Sequence, residues 1–122
     1  MRISKISAVL AAVILSSAST YSVAEGKLME VIPKDNSVVK TFDNKVSLAF
    51  SGNVSERTPT LVVVDGAGTR VDRQDASLTL GSRSVLSAST RPLAPGRYVI
   101  RYRVVTEDGL IVSGISRFEI KV

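Results

Sequence analysis

Leu93-Ala-Pro-Gly-Arg-Tyr-Val-Ile-Arg-Tyr-Arg-Val104 decides the fold of this chain. From Tyr98 onward the apolar residues fall at every second position. Tyr98, Ile100, Tyr102 and Val104 share one side, while Arg97, Arg101 and Arg103 share the other. A period of two belongs to a strand with one buried and one solvated face, and not to a helix. The Leu-Ala-Pro-Gly-Arg-Tyr segment that leads into it has the form of a tyrosine corner. In such a corner Pro and Gly shape the bend, the Leu packs beneath it, and the Tyr hydroxyl bonds to backbone a few residues upstream. Tyr98 is therefore read as architectural, since this turn recurs on sandwiches with unrelated functions.

The same period runs through the rest of the chain. Val46, Leu48 and Phe50 alternate with Lys45 and Ser47, and Phe118, Ile120 and Val122 form a last alternating strand. Thr60-Leu-Val-Val-Val64 is a continuous β-branched run, expected of a strand covered on both sides or lying centrally. Asp65-Gly-Ala-Gly68 supplies the positive-φ positions of a hairpin. Val85 and Leu86 mark a further short strand, ended by Arg91-Pro92. With no helical stretch beyond the N-terminus, the expected fold is all-β: a single Ig-like antiparallel Greek-key β-sandwich of about seven strands.

The N-terminus reads as a cleaved signal peptide over residues 1–24. Arg2 and Lys5 form a positive n-region, Ile6 to Leu15 an apolar run, and Ser22-Val-Ala24 a site for signal peptidase. A spanning helix needs roughly 20 apolar residues, and Ser16-Ser-Ala-Ser-Thr20 interrupts this run too early. The domain is then residues 25–122, enough for one core, and export places it in the periplasm.

Composition removes several function classes. The chain carries 16 Lys+Arg against 11 Asp+Glu. Loss of Arg2 and Lys5 with the signal peptide lowers the formal charge from +5 to +3. That excess is too small and dispersed for nucleic-acid binding. There is no histidine and no cysteine. Disulfides, thiolate ligands, a Ser-His-Asp triad and a zinc site are excluded with them. No motif pairs two carboxylates and no serine sits in a nucleophile elbow, so the chain is not expected to be an enzyme and no small-molecule substrate is evident. A monomer is expected.

The stretch Arg103-Val-Val-Thr-Glu-Asp-Gly-Leu-Ile-Val-Ser-Gly114 resembles the hallmark W-R-V-V-S-x-D-G-H-P-V-S-G of the CopC-type periplasmic copper-resistance family. Three more landmarks fall in the family's order. They are Leu28 with Pro33 and Asp35, the element Phe50-Ser-Gly52 at the place of F-S-E, and Leu-Val-Val-Val-Asp-Gly-Ala-Gly-Thr-Arg-Val ahead of the corner. The resemblance implies a Cu(II) site at one end of the sandwich, built from an N-terminal His with its free amine and the Asp and His of D-G-H. In some members a carboxylate from F-S-E contributes.

Carried onto this sequence, the N-terminal His is Glu25, the F-S-E carboxylate is Gly52, the second His is Leu110, and only Asp108 is kept. Copper as a cofactor is therefore implied by resemblance alone, because Cu(II) selects nitrogen donors and both imidazoles are missing. The Cu(I) route of other members needs several thioethers, whereas Met29 is the one methionine after residue 24 and is expected to pack within a strand. Asp108 has a second reading, as the Asp of an Asp-Gly hairpin turn that bonds local backbone.

Two functional readings stay open. One is a copper carrier working with a CopD-type inner-membrane protein. The other is a metal-free interaction module docking an envelope or membrane partner. Arg97, Arg101 and Arg103, extended by Arg117 and Lys121, form a basic strip that is either a solvated sheet face or a docking surface for an acidic partner or an anionic membrane.

Overall fold

The computed structural model describes residues 27–122, so the expected signal peptide and Glu25 lie outside the described residues. Eight strands follow in order: β1 Leu28–Ile32, β2 Ser37–Val39, β3 Lys45–Ser51, β4 Thr60–Asp65, β5 Ser77–Thr79, β6 Arg83–Ser89, β7 Gly96–Val105 and β8 Ile111–Ile120. They form two four-stranded sheets, β1-β3-β6-β5 and β2-β8-β7-β4. The described residues contain no helix. The all-β sandwich expected from the alternation is the fold. One pairing departs from the antiparallel rule, because β2 runs parallel to β8.

The alternating side chains meet between the sheets. Val46, Leu48 and Phe50 of β3 and Leu86 of β6 are fully buried, facing Leu61 and Val63 of β4 and Ile100 and Val104 of β7. Each such side chain stabilises the fold by about 1.5–3 kcal/mol relative to exposure. A second cluster of rings closes the end where β7 begins. Tyr98 stacks on Phe118 at 5.5 Å between centroids, and Phe118 on Phe42 at 5.3 Å.

The corner forms as its sequence requires. The Tyr98 hydroxyl donates to the Ala94 carbonyl at 2.5 Å, and the bend passes through Gly96 at φ 153°. Further along β7, Tyr102 lies over its cross-strand partner Gly114. A Cβ at position 114 would sit 2.5 Å from the Tyr102 hydroxyl oxygen and 2.9 Å from Cζ, so glycine is what lets the ring lie flat on β8. Burial raises the Tyr102 pKa, and the Asp35 charge adds to that shift.

In Thr60-Leu-Val-Val-Val64 the core-facing Leu61 and Val63 are buried, while the outer face grades from exposed Thr60 through half-buried Val62 to buried Val64. The strand is an edge strand, not a central one. Its open side is closed by the chain that follows. Asp65 N donates to Thr69 O, Val71 N to Val63 O, and Val63 N to Oδ1 of Asp72. The Asp72 carboxylate thus stands where a neighbouring strand's carbonyl would, and masks an edge that could pair with another chain. Its side chain is fully buried and gripped by the Arg70 guanidinium at 2.9 and 3.0 Å. Burial alone would raise its pKa; Arg70 and the Val63 and Gln74 amides outweigh that and hold the carboxyl below its ordinary range.

Met29 does not pack in the core. The β1–β3 register shifts between Leu28 and Glu30, which places Met29 at a bulge with 56% of its surface exposed. The extra residue turns the side chain outward where strict alternation would have kept a regular strand.

The corner bond gives a direct test. Tyr98→Phe keeps the ring stack and removes one hydrogen bond, so it should destabilise the fold by about 0.5–1.5 kcal/mol. Equilibrium urea denaturation measures it, and an unchanged midpoint would mean that the bond contributes nothing.

Candidate functional site

Of the positions implied by the copper-site resemblance, the described ones, Gly52, Asp108 and Leu110, lie toward the end of the sandwich where β7 turns into β8. Lys27 is tied there by two bonds with Ser51, Ser51 N to Lys27 O at 2.8 Å and Lys27 N to Ser51 Oγ at 3.1 Å. Gly52 follows at φ 68°, a left-handed conformation that suits glycine. Its carbonyl accepts from the buried Ser84 hydroxyl at 2.7 Å, and Ser84 Oγ in turn accepts from Val54 N at 3.2 Å. Val54 then bridges to Thr106, and Ser55 N donates to Val105 O at 2.7 Å. One seam of backbone therefore links the start of the described chain, Gly52 and the β7–β8 turn.

That turn is organised by Thr106, whose role no sequence motif announced. Thr106 is buried, its amide donates to Leu110 O at 2.8 Å, and its Oγ1 accepts from Leu110 N at 2.9 Å. The hydroxyl proton goes to Oδ1 of Asp108 in a short hydrogen bond. Gly109 takes φ 90° and donates its amide to Thr106 O at 3.0 Å. Asp108 is thus engaged in local turn bonding, the alternative reading of its Asp-Gly pair. The signal that could have found it is Thr-x-Asp-Gly itself, a hydroxyl and a carboxylate two residues apart ahead of a positive-φ glycine.

Leu110 sits beside this turn with 63% of its surface in solvent, and Ile111 next to it is 59% exposed. Neither group donates to an ion. Among the described residues no three His, Cys, Asp or Glu side chains come together in a way that could hold a metal. Among the described residues, two of the surface hollows lie away from this turn. One is lined by Met29, Glu30, Val31, Lys34, Asp35 and Arg83, and the other by residues of β2, β7 and β8 that include Arg97 and Arg117. Neither includes Gly52, Asp108 or Leu110.

Asp35, a family landmark, is placed elsewhere. Its Oδ1 accepts from Arg117 N at 2.9 Å and from the Ser116 hydroxyl at 3.1 Å, fastening the β1–β2 turn to β8. The Arg117 amide is the main cause of a lowered Asp35 pKa. This carboxylate is structural.

A two-sheet sandwich with a long β7–β8 hairpin, an Asp-Gly turn at its tip and a tyrosine corner at its base is the class of protein defined here. The chain belongs to the CopC domain family, which matches residues 28–121. Its fold is similar to that of CopC from Methylosinus trichosporium OB3b, at 27% identity and a TM-score of 0.71, over 79% of this chain and 93% of that one. It is also similar in fold to PcoC, a methionine-rich copper resistance protein from Escherichia coli. There the identity is 23% and the TM-score 0.63, over 80% of this chain and 100% of that one. No curated protein matches the chain.

Thr106→Val isolates the hydroxyl's contribution, because valine has nearly the same shape but neither donates nor accepts. The Leu110 amide and the Asp108 carboxylate each lose a partner. Loss of about 1 kcal/mol is expected, together with faster hydrogen exchange at the Leu110 amide. Unchanged exchange at Leu110 would show that the turn is held by backbone alone.

Proposed function

We propose that this protein is a periplasmic, non-enzymatic member of a copper-resistance system that keeps the CopC sandwich and does not hold copper in the family's histidine site. Membership of the CopC domain family supports the biological setting. So does structural likeness to a CopC and to a copper resistance protein. The observation that carries the mechanistic half is at the hairpin tip. An exposed leucine occupies the ligand position beside Asp108, and the Asp108 carboxylate is already bonded to Thr106.

The donor set left by the substitutions is one carboxylate at Asp108, a second at Glu25 and the amine that processing would leave on residue 25. Carboxylate oxygens suit hard cations such as Ca²⁺ or Mg²⁺, whereas Cu(II) is held by imidazole and amine nitrogen in tetragonal geometry. A methionine-rich description belongs to PcoC. This chain has two methionines, one of them Met1, so thioether capture of Cu(I) has no basis here. Its part in copper homeostasis would then be played through protein contacts, with a CopD-type inner-membrane protein as the partner that the family suggests.

Restoring both rings tests the reading. Glu25→His with Leu110→His, in protein processed so that residue 25 carries the amine, should gain a one-to-one Cu(II) centre. Its electron paramagnetic resonance spectrum should be tetragonal and rich in nitrogen hyperfine structure, and either single change should gain much less. A folded double variant that binds copper no better than its parent would show that this chain shares the family's fold without the geometry of its site.

A further inference from the structure

We propose that the outer face of the β2-β8-β7-β4 sheet docks flat on an anionic phospholipid surface. The strand register places every residue of that face. Arg103 stands between Ser113 and Thr60, Arg101 between Ile115 and Val62, Val99 between Arg117 and Val64, and Arg97 beside Glu119, which in turn neighbours Val38. Arg101 therefore lies between two β-branched aliphatics across the strands, and Val99 separates Arg97 from Arg101 along β7, with Arg103 next after Arg101. Alternate residues of one strand lie roughly 7 Å apart, so the cations are spread over a plane and not gathered round a point. Glu119 meets Arg97 at 3.9 Å, while Arg101, Arg103 and Arg117 make no ion pair among the described residues.

Part of the aliphatic set is open to solvent, while Val62 and Val99 are half-buried and Val64 is buried. Ile111 and Val38 are each 59% exposed and Ile115 is 48% exposed, all on this sheet. A shallow hollow of about 370 Å³ between β2 and the β7–β8 pair is rimmed by Arg97 and Arg117, with Val38, Val99 and Glu119 among its lining. The opposite face of the sandwich differs in kind. There β3 presents Lys45, Ser47, Ala49 and Ser51, β6 presents Arg83, Val85, Ser87 and Ser89, and Arg83 is engaged with Glu30. That face is rich in hydroxyls and, with Arg83 paired to Glu30, leaves Lys45 as its unpaired cation among the described residues; the β2-β8-β7-β4 face carries several unpaired guanidinium groups.

A phosphodiester layer fits the second face on three counts. It is extended, as the arginine array is. Its phosphates match the forked donors of guanidinium. Beneath the phosphates it offers an interfacial zone in which isoleucine and valine side chains gain by leaving water. A second copy of this chain would instead oppose Arg101 and Arg103 with like charges. The acidic Glu107 and Asp108 lie in the turn beyond the last paired residues, so the sheet face and not the hairpin tip makes the contact. This docking goes beyond the copper reading and does not depend on it.

The test is co-sedimentation of the purified exported protein with vesicles of phosphatidylglycerol and of phosphatidylcholine, with circular dichroism to confirm that each variant is folded. Binding is expected to phosphatidylglycerol only, and to weaken as salt shortens the screening length. Arg101→Ser with Arg103→Ser should lower the affinity roughly 30-fold, at about fivefold per surface cation. Ile115→Ser should lower it further. Lys45→Ser with Arg83→Ser removes equal charge from the other face and should leave binding within about twofold of the parent. Failure to bind phosphatidylglycerol at low salt would overturn the proposal, as would equal losses in the two charge pairs. If polyglutamate binds the arginine face and vesicles do not, the occupant is an acidic protein and the membrane is excluded.

Discussion

Ten cross-strand pairs between β7 and β8, from Gly96 opposite Ile120 to Val105 opposite Ile111, set the side on which every later feature falls. In this register Tyr98, Ile100 and Val104 enter the core with Ser116, Phe118 and Ile120, while the arginines face out. Strand side chains alternate strictly, so a slip of one residue would bury the arginines and expose the core. The register is pinned at both ends by side-chain chemistry. Tyr98 bonds across the corner at one end, and Thr106 closes the turn at the other. Gly114 allows the Tyr102 ring to lie across the pair between them.

The hairpin that builds the core therefore also builds the end where the family's copper site is expected. Its tip keeps the Asp-Gly turn because the turn is needed to join two ten-residue strands in register. Copper ligation makes a separate demand, for nitrogen donors at positions whose backbone does not require them. Leucine at position 110 leaves the Thr106 bonds intact, since those bonds use the Leu110 amide and carbonyl and not its side chain. A ligand can thus be lost from this scaffold without disturbing the strands around it.

Much of this was legible in the sequence because the governing period is two. Half-buried strands such as β3, β7 and the end of β8 print their alternation directly, and the corner prints its Leu-Ala-Pro-Gly-Arg-Tyr turn. β6 showed only Val85-Leu86 of its seven residues, and Val122, read as part of the last strand, lies beyond it and is exposed. The short strands β2 and β5 have three residues each, too few to show a period, and the parallel pairing of β2 with β8 follows from tertiary placement alone. Thr60–Val64 showed its burial but not its edge position, because the covering comes from the chain around Asp72 and not from a neighbouring strand. Met29 stood out as an apolar strand residue, yet a bulge turned it outward. At the site, motif alignment located Asp108, Leu110 and Gly52 at one end of the fold. The Thr106 hydroxyl that engages Asp108 was missed, since side-chain bonding within a turn leaves no periodic mark and its only trace is the local Thr-x-Asp-Gly spacing.

The central claim is that Asp108 serves the turn while the family's copper chemistry has left this chain. Nitrogen-15 NMR of the protein from residue 25 onward during Cu(II) titration reads that claim at each residue, because bound Cu(II) broadens the amide signals near it. With a competing chelator holding free copper below the micromolar range, the account predicts that Asp108, Gly109 and Leu110 keep their signals throughout. Selective loss of those signals, saturating at one copper per chain, would contradict it.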